Sequence, residues 1–295
     1  MVKALPRYFI TLLVVFTAVA TASMVSDSTR ETTDALLRVS ERKLRVDNTA
    51  EETIEEDRMN SLNSLQWLHS GQSIDDVFKL LSLDKGVENL LTNPNVDAFV
   101  NFISRYSHQN PEKSTNLIKT FTTAYGDNVV AHMLQVAKRN PSMADRATTL
   151  QAQQMRVWRR EDLTPDDVFK LLKLDHATSN PLSNLNLDAW TAYLNMFNYL
   201  NPGRETTMIN TFTRAYGDEQ LAVMLEAAKR VPGTEGIAKN LQAAQFNRWM
   251  MDDLDAYGVY IKIFKVDPTT KSIPTKYYAI LQQYNNFVTL YSKVK

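Results

Sequence analysis

The chain has no cysteine among its 295 residues, so it can form no disulfide and offers no thiolate as nucleophile or metal ligand. A zinc site would then rest on histidine and carboxylate. The four histidines, His69, His108, His132 and His176, are scattered, with no His-x-x-x-His pair among them. Glycine is scarce too, at 8 residues. Neither Gly-x-Gly-x-x-Gly, Gly-x-x-x-x-Gly-Lys nor Gly-x-Ser-x-Gly occurs, which removes the usual phosphate-cradling loops and the nucleophile elbow. A surplus of either charge is also missing: 33 basic residues face 33 acidic ones. Nucleic-acid binding needs a concentrated basic face, so a zero net charge argues against it. Past the first 22 residues, no apolar run is long enough to span a bilayer. These absences leave no catalytic residue, metal site or cofactor to assign.

What the chain does contain is repetition. Asp75-Asp76-Val77-Phe78-Lys79-Leu80-Leu81-Ser82-Leu83-Asp84 returns as Asp166-Asp167-Val168-Phe169-Lys170-Leu171-Leu172-Lys173-Leu174-Asp175. The shift is 166 − 75 = 91 residues, and it also carries Tyr125-Gly126-Asp127 onto Tyr216-Gly217-Asp218. Trp67, Trp158 and Trp249 keep the same interval. A long fixed period means stacked copies of one supersecondary unit. The duplicated acids Asp75-Asp76 and Asp166-Asp167 therefore read as helix-start architecture and not as a catalytic pair, which would occur once.

Helix signals recur at matched places. Ser73, Thr164 and Asp255 are N-cap residues, and the first two have an acid three positions on, as a capping box requires. Asn110-Pro111 and Asn201-Pro202 stop helices, because the residue before proline is pushed out of helical geometry. Gly126 and Gly217 are expected to close a helix in the left-handed conformation, with Asp127 and Asp218 capping the next. Ala147, Leu150, Gln154 and Trp158 hold helical spacing from one copy into the next, which predicts a bridging helix. After Trp249 comes a partial third copy, with Val259, Ile261, Ile263 and Phe264 and then Tyr277, Tyr278, Tyr284 and Phe287. It reads as a terminal cap, with an exposed tyrosine-rich groove as the rival reading.

The N-terminus reads as an address. Lys3 and Arg7 precede an apolar run from Tyr8 to Ala20, followed by Ala20-Thr21-Ala22, the layout of a cleaved secretory signal peptide. Residues 23–58 are polar and free of aromatics, so they read as a disordered leader. Within them lie Arg42-Lys43-Leu44-Arg45 and then Glu55-Glu56-Asp57-Arg58.

That order of motifs resembles the leader of the RxLR effectors of plant-pathogenic oomycetes, with Asp57 as an insertion in the acidic motif. The Asp-Val-Phe-Lys-Leu-Leu block, Trp190 and Tyr216 resemble the L, W and Y motifs of tandem-repeat members of that family. Phe99 takes the tryptophan position in the first copy. The resemblance implies an all-α fold of tandem helical bundles with a 91-residue period, stacked into an elongated rod behind the disordered leader. It divides the chain into a signal peptide (1–22), leader (23–58), two full units (59–149 and 150–240) and a partial unit (241–295). It implies translocation by Arg42, Lys43, Leu44, Arg45, Glu55, Glu56, Asp57 and Arg58. The expected core is Phe78, Leu81, Phe99, Tyr125, Phe169, Leu172, Trp190 and Tyr216. It further implies a secreted virulence protein of the host cytoplasm or nucleus, without enzymatic activity, that suppresses immune signalling by binding host plant proteins. The particular expectation is the protein phosphatase 2A core enzyme, held through its scaffold subunit at a junction formed by Trp158, Val168, Phe169 and Leu172. The competing classes are a secreted helical hydrolase or ligand carrier, and an effector that stays in the apoplast.

Overall fold

The computed structural model describes residues 58–88, 90–176, 180–270 and 272–292. The signal peptide and the motif residues Arg42 to Arg45 and Glu55 to Asp57 lie outside the described residues, while Arg58 is helical and exposed. The chain divides into two compact units, Met1–Gln66 and Trp67–Lys295. Residues 58–66, the described part of the first unit, are helical.

The second unit is all-helical among its described residues. Helices α1 (Ile74–Leu80), α2 (Asn95–Gln109), α3 (Leu117–Tyr125), α4 (Asp127–Ala137) and α5 (Ala144–Arg160) come first. Helices α6 (Pro165–Leu171), α7 (Asn186–Leu200), α8 (Met208–Tyr216), α9 (Asp218–Ala228) and α10 (Glu235–Met251) match them in order and length. Each starts 91 residues after its counterpart, as in 165 − 74 = 91. The chain then continues through α11 (Ala256–Gly258), a π-helical turn (Val259–Ile263) and α12 (Thr275–Ser292).

The starts of α1 and α6 follow from their caps. The Ser73 and Thr164 hydroxyls accept from the Asp76 and Asp167 backbone N–H, and each aspartate accepts in return from the cap residue's N–H. Helices this short are marginal alone. Their stability comes from Val77 and Phe78, and from Val168 and Phe169, all buried.

Three apolar clusters form the core. The first gathers Val77, Phe99, Phe102, Phe121 and Leu134, and the second Phe169, Leu172, Trp190, Tyr193 and Phe212. The third gathers Trp249, Phe264, Tyr277 and Tyr284. Helix α5 gives Ala147 and Leu150 to the first cluster and Trp158 to the second. Helix α10 repeats this, giving Ala238 and Leu241 to the second and Phe246 and Trp249 to the third. One edge-to-face aromatic pair recurs in all three: Trp67 with Phe102, Trp158 with Tyr193 and Trp249 with Tyr284.

The third copy departs from the other two in register. Ser82 and Lys173 take positive φ just past the end of α1 and α6, but the corresponding residue is Lys265, one position beyond the 91-residue offset. The π-turn Val259–Ile263 absorbs that extra residue. It delivers Phe264 onto Tyr277, with the rings stacked at 4.2 Å.

Candidate partner-binding groove at the junction of the repeats

The Tyr-Gly-Asp tripeptide works as a three-way tie. The Tyr125 and Tyr216 hydroxyls donate to the Leu83 and Leu174 carbonyls, closing the α1 or α6 end against the rest of its bundle. Burial pushes the Tyr216 phenol up to about 12, with the Asp175 carboxylate adding to the rise. Gly126 and Gly217 sit at φ 85, ψ 150 and φ 76, ψ 155. These angles correct the expected left-handed helical geometry to an extended region that is essentially glycine-only. Asp127 and Asp218 are not caps either; each is the first helical residue after a glycine N-cap. The Asp127 carboxylate instead accepts from Trp158 Nε1 at 2.7 Å and from Gln154 Nε2 at 3.1 Å. Asp218 accepts from Trp249 Nε1 at 3.2 Å and from Gln245 Nε2 at 3.1 Å. So the tie also fixes the bridging helix that leads to the next copy. The sequence signal was present, since Gln154 and Trp158 recur as Gln245 and Trp249.

The core residues expected from sequence sit as follows. Phe78, Phe99, Phe169, Leu172 and Trp190 are buried; Leu81, Tyr125 and Tyr216 are partly buried and pack against the clusters. Trp190 Nε1 donates to the Pro165 carbonyl at 2.7 Å and the Tyr193 hydroxyl to that of Leu163 at 2.6 Å. Phe99 and Phe102 occupy the same places in the first copy without either donor.

The expected partner-binding junction is corrected. Trp158, Val168, Phe169 and Leu172 are at most 1% exposed, and a side chain sealed in the core presents nothing to a partner. What is accessible at this junction is a groove of about 1010 Å³. It lies where α4 of the first copy faces the α6–α7 connection of the second. Its apolar wall includes Leu91, Met133, Val136 and Leu185; Asn128, Asn180, Asn184 and Asn186 supply amides; Glu88, His132, Lys173 and His176 are exposed along it. Val136 is 49% exposed, although Ala131 and Leu134 on the same helix are fully buried. Asn186 Nδ2 donates to the Asn128 carbonyl at 3.0 Å and so binds the two copies across the seam. Among the described residues, no group of three or more histidines and carboxylates is placed to hold a metal ion. No helix among them is long and apolar enough to cross a membrane.

Among the described residues the fold is all-helical, two matched sets of helices and a partial third, with an accessible groove between the first two. The chain is homologous to the RxLR effector proteins of Phytophthora. It is 35% identical over 187 residues to the RxLR effector protein PSR2 of Phytophthora sojae, covering 63% of this chain and 28% of that protein. It is 31% identical over 194 residues to PSR2 of Phytophthora infestans (strain T30-4), covering 66% of this chain and 26% of that protein. The chain thus spans little more than a quarter of the length of these relatives. The crystal structure of PcRxLR12 superposes with a TM-score of 0.63 at 28% identity, covering 97% of this chain and 69% of that one. No family model matches the chain.

Proposed function

We propose that this protein is a secreted virulence effector, delivered into plant host cells, that redirects immune signalling by binding host proteins. The observation that carries this reading is homology to proteins named RxLR effectors, joined to Arg42-Lys43-Leu44-Arg45 and Glu55-Glu56-Asp57-Arg58 behind an apolar N-terminus. In this reading those two motifs serve translocation, and the repeated body is the recognition scaffold. Helical repeats suit that role because stacked units present an extended surface. The particular partner is the host protein phosphatase 2A core enzyme, engaged through its scaffold subunit, with the effector standing in for a regulatory subunit and catalysing nothing itself.

The test is affinity purification of the chain from plant cells followed by mass spectrometry. A parallel bait carries Val136→Asp and His132→Asp, both exposed in the groove. Changing the buried Val168, Phe169 and Leu172 would instead unfold the junction. Phosphatase 2A subunits recovered with the natural chain and lost with the folded variant are the expected result. Recovery of a different stable partner refutes the phosphatase assignment and keeps the scaffold. A chain that stays outside host cells in a secretion assay removes the translocation reading.

A further inference from the structure

The two junctions between copies have the same skeleton but a different chemistry at one place. At the second junction Tyr277 stands where the first has Asn186, and Glu219 where the first has Asn128. There the Tyr277 hydroxyl donates to Glu219, Lys276 reaches Glu219 at 3.2 Å, and the Tyr277 ring lies against Phe264. Glu219 and Tyr277 are thus paired with each other, and the Tyr277 ring is held by stacking. The first junction has only amides there, and that is where the groove opens.

Those amides are only partly committed. Asn184 Oδ1 accepts from the Asn186 backbone N–H at 2.9 Å, which fixes the side chain while leaving Nδ2 without an acceptor among the described residues. The same turn occurs at Asn93 and Asn95, so its geometry is architectural. Asn128 lends its backbone carbonyl to Asn186, and its side-chain amide forms no hydrogen bond among the described residues. Beside them Val136 exposes an apolar side chain, although Val130, Met133 and Leu134 on the same helix are buried.

We propose that this groove binds an extended, uncharged peptide segment of a partner protein. A carboxamide carries one acceptor and two donors, the complement of a peptide unit, so free Asn amides suit main-chain pairing. The apolar wall around Val136 and Met133 then takes the segment's alternate side chains, as in strand-like peptide recognition. A volume of about 1010 Å³ is ample for such a segment. A phosphorylated peptide would call for an arginine cluster, and none is present among the groove residues. The proposal rests on the reading of this seam as the partner-contact surface.

The test pans a phage-displayed library of random linear peptides against the immobilised full chain, then measures enriched peptides by fluorescence polarisation. Asn184→Asp keeps the acceptor that the turn needs and removes the donor. It should weaken binding about fivefold, the value of one net hydrogen bond. Asn128→Ala should cost about the same, and Val136→Asp at least tenfold, with circular dichroism checking each fold. Tyr199→Ala, at a site 84% exposed on α7 and outside the groove, should change nothing. Failure to enrich any peptide overturns the proposal, as does equal binding to all variants. If the same variants nevertheless lose a host partner in plant cells, the seam contacts a folded surface; the functional reading then stands while the peptide proposal falls. Retention of that partner by the variants removes the seam as the contact surface and the peptide proposal with it.

Discussion

Gly217 occupies φ 76, ψ 155, and a Cβ added there would meet nothing within 4 Å. Any cost of Gly217→Ala is therefore conformational, roughly 1–3 kcal/mol for a non-glycine residue in that region. Thermal or urea unfolding measures it, and an unchanged midpoint would show that the backbone relaxes locally. At Gly126 a Cβ also comes 3.3 Å from Asn128 Oδ1, so Gly126→Ala should cost at least as much. Trp190→Ala opens a core cavity costing about 3–5 kcal/mol. Trp190→Phe keeps a ring but loses the donor to the Pro165 carbonyl, which at the start of α6 still accepts its helical bond, so its cost should be about 0.5–1.5 kcal/mol. Phe99 was legible as the first copy's aromatic at this position. The lost donor's partner was not legible, because Pro165 comes close to Trp190 only in three dimensions.

Among the elements, the clearest sequence signals were local ones. Ser73, Thr164 and Asp255 all accept from backbone N–H groups as their residue types and spacing suggested. The third copy's π-turn is hidden in the sequence because Trp249 and Tyr284 hold the 91-residue interval on either side of it. An extra residue compensated within the following connection leaves no trace in the spacing of conspicuous aromatics. The tie between α6 and α8 was equally hidden. Arg214 Nη2 donates to Asp166 Oδ1 at 2.9 Å, and the Thr211 hydroxyl donates to the same oxygen at 2.6 Å. In the first copy Thr123 stands where the second has Arg214. Burial works to raise the Asp166 carboxyl, but the bonds from Arg214 and Thr211 outweigh it and hold the group below the usual carboxylate range. A carboxyl lowered in the folded state stabilises at pH above its unfolded value, about 4, and loses that contribution as pH falls through the folded value. Asp166→Asn should therefore melt earlier at neutral pH and converge with the natural chain in acid. A melting gap that persists undiminished at pH near 2 would place the stabilisation elsewhere.

Across the whole Trp67–Lys295 body, the copies share one frame while their junctions do not share one chemistry. The first junction runs through a chain of glutamines, Gln135 donating to Gln151 and Gln151 to Gln154 at 2.9 and 2.8 Å, with Lys138 half-buried at the Lys229 position and its amine held below the usual lysine range by that burial. The second places Glu226 at the Gln135 position and pairs it with Lys229, which also donates to Gln242 and Gln283. The Lys229 and Glu226 side chains are only 12% and 15% exposed. Removing one partner of such a pair strands the other, at roughly 3–5 kcal/mol. Arg230, itself 76% exposed, reaches Glu226 at 3.7 Å and draws Lys229→Ala toward the lower end of that range. The double variant Glu226→Gln, Lys229→Met removes both charges and should recover most of the loss, because no charge then stays buried. Where the damage appears is the sharper test. In a stack of units each copy leans only on its neighbours, so Lys229→Ala should speed hydrogen exchange in α12 and leave α2–α4 unchanged. Acceleration spread evenly from α2 to α12 would mean that the body unfolds as one cooperative block, with its junctions as strong as its cores.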